Sequence, residues 1–151
     1  MKHFSGFSKL AAADPAQCAT DLLNFDDRRL LPQHFADIQK LSGKAFTLDA
    51  AANDSGNNAH CGSFCCPSRS FLNKLHSGHI WINAPFTKLN EFIEHYHECK
   101  MYAPATTASI LVPQFLLPAL RPLLKGMHII KTYSKALYCL ILPLYLVSIG
   151  L

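Results

Sequence analysis

The residues with the clearest chemical potential are Asn83-Ala84-Pro85-Phe86, which directly follow the β-rich run His79-Ile80-Trp81-Ile82. An Asn-x-Pro-aromatic group at the carboxyl end of a buried strand is suited to holding the exocyclic amine of a base turned out of its stack. The Asn83 side-chain oxygen and the Ala84 backbone carbonyl would each accept a hydrogen bond from an adenine N6 amino group. That leaves the nitrogen lone pair free to attack a methyl donor. Phe86 would stack on the ring, and Pro85 would fix the backbone so that the acceptors stay aimed. Neither Asn nor Phe titrates, so the chemistry is preorganisation rather than acid–base catalysis. The same tetrapeptide also suits a plain strand-to-helix turn, where Asn, Pro and Thr are common.

A second group is acidic and small. Ala45-Phe46-Thr47-Leu48-Asp49 reads as a short strand that delivers its carboxylate into Ala50-Ala51-Ala52-Asn53-Asp54-Ser55-Gly56-Asn57-Asn58. A strand ending in a carboxylate and a small-residue loop is the usual ligand-facing edge of an open α/β sheet. A third group holds nitrogen and sulfur: His60-Cys61, Cys65-Cys66 and His95-x-His97-x-Cys99. These residue types bind zinc, but paired CxxC knuckles are absent. On a helix, residues two apart point about 200° from each other, so His95 and His97 do not converge on one ion. No metal is expected; the alternative is surface histidines and buried thiols.

The elements that must position these groups follow from periodicity. Residues 33–41 carry Phe35, Ile38 and Leu41 at helical spacing, with Pro32 in the first turn and Ser42-Gly43 at the end. Ser77-Gly78 turns the chain into strand His79-Ile80-Trp81-Ile82. Thr87 then stands as N-cap of a helix whose apolar face is Leu89, Phe92, Ile93 and Tyr96. Ala108-Ser109-Ile110-Leu111-Val112 is a third strand. Residues 116–124 are a short helical or irregular stretch interrupted by Pro118 and Pro122, and residues 127–133 are a fourth strand. This alternation predicts an α/β fold with a mainly parallel sheet and helices on both faces.

Composition bounds the rest. The chain has 151 residues, 50% hydrophobic and 16% charged, which fits one globular domain and excludes a disordered tail or a collagen-like chain. Residues 1–60 hold six Lys/Arg and seven Asp/Glu, whereas residues 61–151 hold eight and three, so the second half is basic and tolerates a polyanion. No signal peptide is read at the N-terminus, and six irregularly spaced cysteines are expected to be free thiols in an intracellular, reducing compartment. Residues 136–151 are an apolar run. It falls short of the about 20 residues a bilayer span needs and contains Pro143, so no stable membrane insertion is expected. A last strand tucked into the core, or a tail unrelated to the preceding domain, accounts for it more simply.

Taken in order, Phe46-Thr47-Leu48-Asp49-Ala50-Ala51-Ala52, then Gly78-His79-Ile80-Trp81-Ile82-Asn83-Ala84-Pro85-Phe86, then Ile110-Leu111-Val112-Pro113 resembles the phage-type, Dam-like DNA adenine-N6 methyltransferases. It is still more similar to the methyltransferase-like segment of DIRS-type tyrosine-recombinase retroelements. There an Asp-Asp stretch with Leu-x-Pro-x-x-Phe precedes, here Asp26-Asp27 and Leu30-Leu31-Pro32-Gln33-His34-Phe35. A Pro-Leu-Leu-x-Gly-Met stretch follows, here Pro122-Leu123-Leu124-Lys125-Gly126-Met127, and then Tyr133-Ser134-Lys135.

The resemblance implies a methyltransferase-like domain over residues 25–135, between an unassigned segment at 1–24 and the apolar run. It implies a partial Rossmann-like class I methyltransferase sheet, because four readable strands are fewer than the complete sheet has. It implies S-adenosylmethionine lying near Asp49, Ala50 and Ala51, DNA as partner with Asn83, Ala84, Pro85 and Phe86 at the target adenine, a mobile-element origin, and a nuclear location if that element is eukaryotic. The family loop has proline where Ala84 stands; the carbonyl is kept and the backbone is freer. Two different classes stand beside this reading: a non-catalytic remnant that binds nucleic acid weakly through its basic second half, and a small zinc-binding or membrane-tail protein.

Overall fold

A computed structural model describes residues 30–133 and 144–149. Residues 1–24, Asp26-Asp27 and Ser134-Lys135 lie outside the described residues. The elements are α1 (Pro32–Ser42), β1 (Leu48–Asp49), β2 (His79–Ile82), α2 (Leu89–Tyr102), β3 (Thr107–Pro113), α3 (Leu117–Leu120), β4 (Met127–Tyr133) and β5 (Leu144–Ile149). They form an α/β unit around one five-stranded sheet of order β1-β2-β3-β5-β4. β1, β2 and β3 are parallel, in register Leu48 with Ile80 and Ile80 with Ala108. β5 is antiparallel to both of its neighbours, β3 and β4.

The first helix ends where its residue types dictate. Pro32 sits in the first turn of α1, and Gly43 takes the left-handed conformation at its end, φ 76°, with its N–H on the Lys40 carbonyl. Thr87 does not cap α2: it lies inside a 3-10 turn, Phe86–Lys88, that precedes the helix, and Lys88 stands at the N-cap. The expected strand 45–49 is reduced to Leu48–Asp49, although the Thr47 N–H still reaches the His79 carbonyl at 2.8 Å. On its outer side β1 is continued by a parallel bridge from Asp49 to Phe64, with the Asp49 N–H on Ser63 O and the Cys65 N–H on Asp49 O. The apolar run supplies β5 over 144–149, so the sheet continues past residue 135, where the family resemblance ends.

Strand alternation sorts the core into two layers. Ile80 and Ile82 of β2 and Ala108, Ile110 and Val112 of β3 pack with Leu89, Ile93 and Tyr96 of α2 and with Leu117 and Leu120 of α3. Trp81 and Leu111 point to the other face, where they meet Leu30, Ile38 of α1, Phe46 and Phe86. All residues of β2 and β3 are buried, as expected of parallel strands covered on both faces. Among the described residues, no helix is long and apolar enough to cross a membrane.

Candidate ligand cavity at the strand ends

A cavity of about 540 Å³ opens at the carboxyl ends of β1 and β2, a size typical of small-molecule sites. Its position is the one that open α/β sheets use for ligands. Asp49, Ala50 and Ala51 line it from the end of β1, and Asn83 and Pro85 line it from the end of β2. Two turns more than thirty residues apart thereby share one wall, because β1 and β2 are parallel neighbours in register.

Asp49 is 2% exposed, and its carboxylate is divided between two backbone donors. The Ala51 N–H reaches Oδ1 at 3.1 Å and the His60 N–H reaches Oδ2 at 2.9 Å. The side chain therefore ties the Ala50–Ala51 turn to the far end of the 50–58 loop. Pro85 has φ −50° and accepts the Lys88 N–H at 2.9 Å, which closes the 3-10 turn and fixes the direction in which the chain enters α2.

Ala84 and Phe86 do not reach the cavity wall. Ala84 is 3% exposed in the layer that holds α2, and Phe86 is 8% exposed in the opposite layer beside Trp81 and Leu111. The ring expected to stack on a base is therefore used to close the core beneath the site. The wall is completed by residues that motif reasoning had not placed there: His60, Cys66, Phe71, Lys88 and Phe92 among them. Lys88 and Phe92 carry a readable signal, since residues four apart share one helix face. His60 and Cys66 carry none, because contacts made at long range, the parallel bridge at Phe64 and the His60 N–H on Asp49 among them, fold their loop back over β1.

The nitrogen and sulfur groups diverge. His95 Nε2 donates to the Lys74 carbonyl at 2.7 Å, and His97 Nε2 donates to the Leu123 carbonyl at 2.6 Å. Cys99 Sγ takes the His76 N–H at 3.3 Å. Among the described residues no three His, Cys, Asp or Glu side chains form a group that could hold a metal ion. Cys61, Cys65, Cys66 and Cys99 are free thiols. Burial and then the Asp49 charge push the Cys61 thiol up to about 12. Burial also raises Cys65 and Cys99, whereas the Ser68 hydroxyl beside Cys66 lowers that thiol.

No family model, curated protein or solved structure matches this chain.

Proposed function

We propose that this cavity binds S-adenosylmethionine and presents an adenine N6 amine of DNA to it. The observation that carries the reading is the convergence of the Asp49–Ala51 turn and the Asn83–Pro85 turn on one cavity at adjacent parallel strand ends. The cavity volume of about 540 Å³ is ample for a nucleoside-sized donor. The donor supplies a methyl group on a sulfonium. Asn83 would accept from the N6 amine and hold its lone pair toward that methyl, and the Pro85 ring would keep Asn83 aimed. The alanines at 50 and 51 leave room for the donor to lie close to the backbone. Methylation of N6 would release one proton from the amine to solvent as the donor leaves as a neutral thioether.

The placement of Phe86 favours a second reading, a non-catalytic domain that binds nucleic acid through its basic half, because the ring that should grip the base is packed in the core. Donor binding separates the two. Calorimetry on the full chain with S-adenosylmethionine is expected to give measurable heat at sub-millimolar donor, and adenine-containing DNA is expected to gain methyl label that Asn83→Ala abolishes. A folded chain that gives no heat at millimolar donor ends the methyl-transfer reading.

A further inference from the structure

Histidine aside, two side chains of the cavity wall carry formal charge, Asp49 and Lys88, and they differ in what they leave open. The Asp49 carboxylate is 2% exposed and takes a backbone N–H on each oxygen. Lys88 is exposed, and among the described residues no hydrogen bond or ion pair engages its ammonium. The neutral groups of the wall lean the same way. Ser70 Oγ accepts the Leu72 N–H at 3.2 Å, so its hydroxyl hydrogen is left to donate. Asn58 Oδ1 accepts the Asn53 N–H at 2.7 Å, so its Nδ2 is left to donate. Both residues line the cavity and are half-buried. Besides the Asn83 amide, the wall therefore offers a ligand one cation and two donors, while its carboxylate is already satisfied by backbone.

We propose that Lys88 is the anion-binding end of this cavity and pairs with the negatively charged oxygens of the bound ligand. Hydrogen bonds from an ammonium to a carboxylate or phosphate are stronger than neutral ones, and lysine meets such groups as a point charge on a flexible stem. The Lys88 N–H is held by the Pro85 carbonyl at 2.9 Å, so the charge is presented from the same turn as the Asn83 amide. The inference rests on the ligands proposed for this cavity. Two sources share the chemistry: the carboxylate at the amino-acid end of the methyl donor, and a phosphate of the target strand. Each ligand can be offered with and without its charge, which tells the sources apart.

The test uses the full chain, with binding read by calorimetry at low and at high salt. S-adenosylhomocysteine is compared with its decarboxylated analogue, which keeps the amine and the adenosine, and deoxyadenosine monophosphate is compared with deoxyadenosine. In the pair that responds, the wild-type chain is expected to bind the charged member about tenfold tighter than its uncharged counterpart, an advantage that salt narrows. Lys88→Gln is expected to remove that advantage and its salt dependence, to change the counterpart by less than about twofold, and to leave thermal melting unchanged; Lys88→Arg is expected to keep the advantage to within about threefold. The pair that responds identifies the source of the anion. If Lys88→Gln leaves both charged ligands bound as before, or weakens both members of a pair equally, the proposal is overturned, and methyl transfer stands as long as S-adenosylhomocysteine binds. If deoxyadenosine monophosphate binds through Lys88 and S-adenosylhomocysteine does not bind, the anion end stands and the donor reading falls. A wild-type chain that binds none of these ligands overturns both.

Discussion

Asp49 and His79 mark the two ends of the parallel strands, and each is buried by a different means. Asp49 at the carboxyl end is held by two backbone N–H groups. Asn in its place offers one acceptor oxygen for two donors, so Asp49→Asn is expected to cost about 1–2 kcal/mol, read from the urea midpoint at unchanged slope. His79 at the amino end is 6% exposed, stacked on Phe46 at 4.3 Å, with Nδ1 on the Thr107 hydroxyl at 2.8 Å and Nε2 on the Ser42 hydroxyl at 3.1 Å. Ser42 Oγ donates to the Gln39 carbonyl, so it accepts from Nε2–H and Nδ1 is left to accept from Thr107. The Ser42–His79–Thr107 chain is therefore a packing device and not a nucleophile with its base. Burial, with a smaller contribution from Lys44, lowers His79 to about 4 from 6.5. A base whose folded pKa is depressed gives its full stability above the unfolded value and loses it as pH falls through the folded one. Stability is expected to decline between about pH 6.5 and pH 4 by up to about 3 kcal/mol, a decline that His79→Gln flattens in urea titrations at several pH values.

Among the elements, the 50–58 loop and β5 bear most on the site and the sheet. The loop keeps its shape through Gly56, which has φ 71°, and a Cβ there would stand 2.5 Å from the Phe64 ring. Phe64 is the residue whose bridge to Asp49 draws His60 and Cys66 to the cavity. Gly56→Ala is accordingly expected to destabilise by about 1–3 kcal/mol and to weaken ligand binding, a pairing of effects that thermal melting and calorimetry on one preparation would reveal. β5 hydrogen-bonds on both sides, with Val147 opposite Ile110 of β3 and Ile129 of β4. Proline at 147 removes a donor from an interior strand, so Val147→Pro is expected to cost at least about 3 kcal/mol and to abolish a cooperative melt. β4, exposed along much of its length and hydrogen-bonded to β5, depends on β5 for its place in the sheet.

At the scale of the molecule, lysines of the basic second half fall at both ends of the sheet. β4 runs in the same sense as β3, because both are antiparallel to β5. Lys125, just before β4, therefore lies at the end opposite the cavity, while Lys88 lines it. If DNA docks over the cavity, Lys88→Gln is expected to lower the salt dependence of DNA binding by nearly one counterion, and Lys125→Gln to leave it unchanged, in fluorescence-anisotropy titrations across salt. Equal effects from the two variants would place the polyanion elsewhere.

Much of this architecture was legible locally. Pro32 and Gly43 bound α1, the spacing of Leu89, Phe92, Ile93 and Tyr96 marks α2, and the β-rich runs at 79–82 and 108–112 mark the strands, because capping, periodicity and backbone preference act over a few residues. The turns that end at Asp49 and follow Ile82 were legible for the same reason, and so was their meeting once two parallel strands were expected. What the amino-acid order could not show was pairing at long range: β5 entering between β3 and β4, the Phe64 bridge carrying His60 to the cavity, and Phe86 turning into the layer beside Trp81. Those outcomes were decided by the tertiary structure, since a strand's neighbour and a ring's burial depend on which distant surfaces need covering, and that demand exists only after the layers have assembled.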